Sequence, residues 1–352
     1  MIVLGIESSC DETAVAVVDE DKNLLSHVVL SSLEEHQKYG GVVPEIAARS
    51  HLNYLDGLVA KAMDDAGLEF NDLTAIAATG GPGLIGGVMV GMMGAKAISY
   101  ACDIPLIAVN HLEGHALVPR LTNDVEFPFL LLLVSGGHCQ ILVCAGVNQY
   151  HRLGTTIDDA IGEVYDKLAR MLGLGYPGGP IIEELAKEGN ANRFDLPRPL
   201  KGRANCDFSF SGLKTKLRQI IDDFEGNKIS RQDAADLCAG FQNAVADCLD
   251  DRLKRAIQIV KERFPEISTL VVAGGVAANQ YLLNRLQKLG EQTGLSIVAP
   301  PLNLCTDNGA MIAWAGLERY KMGLIDDLSF KPRPRWPLDA DAEPKIGAGV
   351  KA

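Results

Sequence analysis

Two stretches of this chain follow one pattern, and that repetition limits the folds open to it. Residues 1–19 read MIVLGIE, SSCDE, TAVAVVD; residues 127–146 read FPFLLLLV, SGGH, CQILVCAG. Each is a strand-like apolar run, a short turn of small or polar residues, and a second strand-like run. The apolar runs are continuous rather than alternating, which suits strands buried on both faces of a central sheet. Two copies of such a unit predict two related α/β lobes, each presenting a tight loop. A third stretch, LVVAGGVAANQYLLNRL, reads as a strand over 270–273, a turn at Gly274 and Gly275, and an amphipathic helix from Asn279 onward.

Glycines at a strand end let backbone N–H groups approach a phosphate closely. A Ser-Gly-Gly or Gly-Gly turn also serves simply to reverse the chain, and neither reading is excluded for these loops. None of them is a Walker A or dinucleotide fingerprint. GGPGLIGG, residues 80–87, has the glycines but no P-loop lysine, and its plain role is to feed a small-residue helix that packs closely on a sheet.

The chain has 352 residues, 47% of them hydrophobic, enough for two cores. No basic segment precedes the first apolar run, Glu7 and Asp11 interrupt it, and no later stretch offers about eighteen uninterrupted apolar residues. Neither a signal peptide nor a membrane span is expected. The eight cysteines form no C-x-x-C pair and read as reduced core residues of a cytoplasmic protein, with Cys10 and Cys305 bordering loops of interest. A net charge of -12 argues against nucleic-acid binding over the whole surface and leaves room for a local basic patch.

NHLEGHALVP, residues 110–119, sets His111 and His115 four apart around a glutamate and invites comparison with the H-E-x-x-H helix of zinc peptidases. Helix geometry separates the two. Residues four apart share a face, so both histidines can ligate one metal. Glu113 lies two positions from each, about 200° around the axis, and points away. The peptidase's general base would stand where this chain has Leu112. The spacing is equally compatible with two histidines that bind nothing. A metal would need a third ligand, which spacing cannot choose among 45 acidic residues.

Nine segments, taken in order, carry a resemblance: GIESSCDETAVAVVD, GGVVPEIAARSH, GPGLIGG, NHLEGH, LLVSGGH, DDAIGEVYDKLARMLGLGYPGGP, DFSFSGLKT, AGGVAAN and CTDNGAMIAWAG. Together they resemble the successive motifs of the bacterial TsaD family of tRNA N6-adenosine threonylcarbamoyltransferases, from about Met1 to Trp336. The resemblance implies a duplicated actin-like ATPase fold with two lobes around a nucleotide cleft, with residues 1–108 and about 325–340 in one lobe, 109–324 in the other, and 341–352 as a flexible tail. It implies transfer of a threonylcarbamoyl group from threonylcarbamoyl-adenylate to the adenosine 3′ of the anticodon in tRNAs reading codons that begin with A, releasing AMP. The metal, Fe(II) or Zn(II), would be held by His111, His115 and Asp307. Asp307 also suits a helix N-cap.

The adenylate would meet the loop Leu133, Val134, Ser135, Gly136 and Gly137, the carboxylates of Asp166 and Glu183, the open backbone at Gly179, and Asn279. Asp11 and Glu12 are candidates for water or proton handling, with turn capping as the alternative, and His138 for orienting the acyl group. TsaB, TsaE and a TsaC-type synthase are the implied partners beside tRNA, with the small-residue helical face GGVMVGMMGAKAISYA, residues 86–101, as the TsaB face. Arg193–Arg203, Lys214–Arg218 and Lys331–Arg335 are the basic runs available for RNA. An actin-fold kinase or hydrolase would share the loops without needing the histidines, and a non-catalytic scaffold would tolerate their loss.

Overall fold

A computed structural model describes residues 1–224 and 229–345. The strands are β1 (Ile2–Glu7), β2 (Glu12–Asp19), β3 (Leu24–Ser31), β4 (Ala75–Gly81), β5 (Leu106–Asn110), β6 (Phe129–Val134), β7 (Cys139–Gly146), β8 (Gln149–Thr155), β9 (Thr269–Ala273) and β10 (Ser296–Val298). The helices are α1 (Leu33–Gln37), α2 (Pro44–Ala66), α3 (Ile85–Cys102), α4 (His111–Thr122), α5 (Ile161–Met171), α6 (Gly178–Ala186), α7 (Ser211–Asp222), α8 (Arg231–Arg263), α9 (Gln280–Thr293) and α10 (Gly309–Lys321).

The chain forms two compact units, Met1–Glu126 with Gly146–Gln149 and Pro300–Ala340, and Phe127–Ala145 with Tyr150–Ala299 and residues 341–345. Each is built on a five-stranded sheet, of order β3-β2-β1-β4-β5 in the first and β10-β9-β6-β7-β8 in the second. Reversing the second order aligns the two. In each, the opening hairpin is antiparallel and the next two strands add in parallel, β4 beside β1 and then β5, β9 beside β6 and then β10. The repeated sequence pattern is therefore a repeated topology.

The continuous apolar runs have the predicted cause. In the first sheet Leu4, Ile6, Val15, Val17, Ile76 and Ala78 pack with Leu55, Val59 and Met63 of α2 and Met92 of α3. The alternate residues Val3, Ala14, Ala16, Ala75 and Ala77 are equally buried and meet α10. That second helix comes so close that a Cβ added to Gly5 would lie 2.3 Å from the Ala313 amide nitrogen. Only a residue without a side chain fits there. Because α10 and α4 pack on this sheet and on each other, 109–126 and 300–324 belong to the first unit, where the expected boundaries had placed them in the second.

Two other expectations are refined. The α3 helix is eighteen residues long with mean hydropathy 1.3, enough by length and average apolarity for a membrane span, although Lys96 and Ser99 interrupt it. One of its faces is buried, with Gly87 and Gly91 against Ser8. Residues 341–345, expected within a flexible tail, are tied down: Arg152 donates to the Glu343 carbonyl and Lys345 lies 3.2 Å from Asp207. Residues 346–352 of that tail lie outside the described residues.

Candidate active site

The β5 strand ends at Asn110, whose side-chain oxygen accepts from the Leu112 amide at 2.9 Å and starts α4. His111 is therefore the first helical residue and His115 follows one turn later, their ring centroids 4.8 Å apart and nearly perpendicular. Asp307 stands two residues before α10, and the capping that its position suggested falls instead to Asn308, which accepts from the Met311 amide at 2.9 Å. The Asp307 carboxylate faces the imidazoles, 3.0 Å from His115 Nε2 and 3.5 Å from His111 Nε2. The three donor atoms lie within 4.8 Å of one another.

Glu113 points where helix geometry puts it. Its carboxylate accepts from the Asn148 amide and the Arg319 guanidinium, both at 2.8 Å, the ion pair being buried. It is a structural anchor for α4, and the peptidase comparison ends there.

Behind the histidines lies a residue that sequence reasoning passed over. Glu7, at the end of β1, had registered only as an interruption of an apolar run. It is 1% exposed, and its oxygens accept from the Ser9 amide and the Thr79 hydroxyl. Its Oε2 also lies 2.9 Å from His111 Nδ1. A carboxylate can only accept, so a proton sits on Nδ1, and when the ring is neutral it is Nε2 that carries the lone pair facing His115 and Asp307. This carboxylate–histidine relay fixes the ligating tautomer in metal sites. The signal available in the sequence was a charge inside a strand buried on both faces, which requires a partner.

The electrostatics follow from these neighbours. Burial lowers the affinity of His111 for a proton, but the Asp307 and Glu7 carboxylates outweigh it and raise the pKa to about 9. Burial pushes Glu7 up, and the adjoining His111 more than offsets it, leaving it below the usual carboxylate range. Glu12 is the opposite case: burial, then the Asp307 and Asp11 charges, hold its carboxyl well above that range. Asp11 is buried, and its carbonyl accepts from the Ser32 hydroxyl at 2.7 Å. Two imidazoles and one carboxylate, with an anion fixing one ring, form a donor set that fits Zn(II) or Fe(II) and leaves coordination positions open.

The second unit holds the expected adenylate residues. Leu133 and Val134 lie within β6, with buried side chains, so the turn proper is Ser135–His138. Ser135 and His138 close it, the Ser135 amide donating to the His138 carbonyl at 2.8 Å and the His138 amide to the Ser135 hydroxyl at 3.1 Å. Gly136 and Gly137 are exposed, with no atom within 4 Å of where a Cβ would stand. The start of α5 packs on this turn, the Gly162 amide donating to the Ser135 carbonyl at 3.3 Å.

Asp166 accepts from the Gly178 amide at 2.7 Å at the start of α6, while Gly179 beside it has open space. Glu183 accepts from the Gln280 amide at 2.7 Å and the Tyr281 amide at 3.3 Å, and Asn279 caps the same helix at Leu282, 2.9 Å, while donating to Gln242 at 3.1 Å. The fold thus brings the starts of α6 and α9 together through residues expected to meet the adenylate, Asp166 and Glu183 its ribose and Asn279 its adenine or phosphate. The Asn279 side chain is committed to its helix cap, and a carboxylate oxygen of both Asp166 and Glu183 is held by a helix N-terminus.

Two sheets of one repeated topology place the chain in the class of actin-like ATPase folds. The HypF structure from T. kodakarensis shares this architecture at 16% identity, covering 92% of this chain and 48% of that longer one with a TM-score of 0.61. A full-length HypF gives 15% identity, 91% and 46% coverage and a TM-score of 0.58. At those identities the likeness is one of fold. The particular family comes from sequence: residues 23–314 match the family model described as TsaD, tRNA N6-adenosine threonylcarbamoyltransferase. Proteins of that name from Paramagnetospirillum magneticum and Rhodospirillum rubrum are 61% and 58% identical, over 100% of both chains in the first case and 99% of this chain and 98% of the other in the second. The chain belongs to the TsaD family of tRNA-modifying transferases.

Proposed function

We propose that this protein transfers the threonylcarbamoyl group of threonylcarbamoyl-adenylate to the N6 amine of the adenosine 3′ of the anticodon, in tRNAs reading codons that begin with A, with release of AMP. The observation that carries this reading is the trio His111, His115 and Asp307, with Glu7 holding the first imidazole in its ligating tautomer. A bound Fe(II) or Zn(II) supplies Lewis-acid polarisation of the acyl carbonyl. The amides of Gly136 and Gly137 offer donors to the phosphate leaving group, and Asp166 and Glu183 acceptors to the ribose. Glu12, whose affinity for a proton is raised by burial and by the Asp307 and Asp11 charges, takes up the proton lost by the attacking amine, with Asp11 beside it orienting water. His138 orients the acyl group.

The partners in this reading are tRNA, a TsaB paralogue, the TsaE ATPase and a TsaC-type synthase that delivers the adenylate, all cytoplasmic. Ile85, Met89, Met93 and Tyr100 are exposed along α3 and supply an apolar row for TsaB. The test supplies purified protein with tRNA, threonylcarbamoyl-adenylate and these partners, and measures modified adenosine by nucleoside mass spectrometry. Formation of product that is lost with His115→Ala or Asp307→Asn is expected; product that persists in both variants refutes the role of the trio.

A further inference from the structure

Of the three basic runs, two are partly neutralised by the fold. Arg193 pairs with Asp236 and Asp233, Arg198 with Asp247, Lys214 with Asp159 and Arg218 with Asp222. The third, Lys331-Pro332-Arg333-Pro334-Arg335, is different. All three cations are exposed, and among the described residues none has a carboxylate partner, in a protein of net charge -12.

The segment is also held rigidly. Phe330 and Trp336 at its ends pack on the first unit's core, their rings 5.7 Å apart, and the Arg333 guanidinium lies over both at 5.1 and 4.7 Å. The Arg333 amide donates to the Gly80 carbonyl at 2.7 Å, and the Lys96 ammonium to the Phe330 carbonyl at 2.6 Å. Gly81 leaves the room this needs: its φ is +132°, and a Cβ there would lie 1.8 Å from the Arg333 carbonyl oxygen. Two prolines keep Lys331 and Arg333 extended, so the cations recur along a stiff strap rather than a wandering loop. The strap's far end is fastened to the catalytic helix. Asn110, which caps α4 immediately before His111, donates its side-chain N–H to the Trp336 carbonyl at 2.8 Å.

We propose that this strap binds the sugar–phosphate backbone of the substrate tRNA beside the acceptor adenosine, Lys331, Arg333 and Arg335 each meeting phosphate. Exposed, unpaired, pre-ordered cations gain from displacing condensed counterions without losing an existing ion pair or ordering a loop. The attachment through Asn110 sets that contact in register with the residues around His111. The inference rests on the tRNA-acting reading of the site and specifies where the nucleic acid lies.

The test is a salt series of binding between the full-length chain and unmodified tRNA, followed by fluorescence anisotropy, for wild type, for Lys331→Gln/Arg335→Gln, and for the charge-retaining Lys331→Arg/Arg335→Lys. Arg333 is left in place because its stacking supports the strap. Loss of two phosphate contacts should weaken binding about tenfold or more near 0.1 M salt and flatten the log–log salt dependence by roughly 1.5, while the charge-retaining variant matches wild type. In turnover the loss should appear in KM for tRNA rather than in kcat. An unaltered slope and affinity in the neutralised variant, with wild type active, overturns the surface and leaves the transfer reaction standing. A wild type that neither binds tRNA nor forms product overturns the reading beneath it.

Discussion

Replacing Glu7 by Gln isolates the role of the carboxylate behind His111. The three donors converging on Glu7, the Ser9 amide, the Thr79 hydroxyl and His111 Nδ1–H, all need an acceptor. A glutamine has one acceptor oxygen. If its NH2 turns toward Ser9, two N–H groups oppose each other in a buried site. If it turns toward His111, the imidazole must move its proton to Nε2, the nitrogen that faces Asp307 and any bound metal. Loss of such an outer partner lowers metal affinity by about 10- to 100-fold, or roughly 1.4 to 2.7 kcal/mol. The assay is competition for Zn(II) between protein and a chelating dye, with the thermal unfolding of the metal-free protein measured alongside. The expected result is weakened binding in Glu7→Gln and a smaller change in Thr79→Val, which removes one donor and leaves the carboxylate on His111. If Glu7→Gln binds Zn(II) as tightly as wild type and loses only metal-free stability, Glu7 is a structural residue and the tautomer reasoning fails.

Further consequences follow from the same neighbours. In the chelated protein His111 has a folded pKa of about 9 against an ordinary 6.5, so the stability it confers is fully present below pH 6.5 and is lost as pH rises through 9. The change is roughly 3 kcal/mol. Thermal unfolding from pH 6 to 10 should show that decline, and His111→Asn should flatten it. Arg319→Met should cost about 3 to 5 kcal/mol in denaturant unfolding, because it takes away the guanidinium that lies 2.8 Å from the buried Glu113 carboxylate. Arg319→Met paired with Glu113→Gln should recover much of that loss; a double variant as unstable as the single one shows that the charge was not the cause.

The sheets were legible because a strand covered on both faces has to be apolar at every position, and the two hairpins say so in sequence. The direction of Glu113 was legible because helical periodicity is local. What escaped was set by contacts distant in sequence. Glu7 meets His111 across 104 positions and Thr79 across 72, and nothing within β1 announces either. The unit boundary was misplaced because α10, near the chain's end, packs on β1 at its beginning. That Asn308 rather than Asp307 caps α10 depends on the helix beginning at Gly309. The three basic runs looked alike until the fold supplied aspartates to two of them.

The first unit is discontinuous, and this governs when it can be completed. One face of its sheet, bare at Gly5 and lined with alanines, is covered by α10, which ends at Lys321. During synthesis that face waits, exposed, while the whole second unit emerges and becomes free to fold. Asp307, which faces His111 and His115, arrives in the same late segment. A ribosome stalled or a transcript truncated before that point therefore releases a chain with one sheet half uncovered, a substrate for chaperones and proteases rather than a slow enzyme.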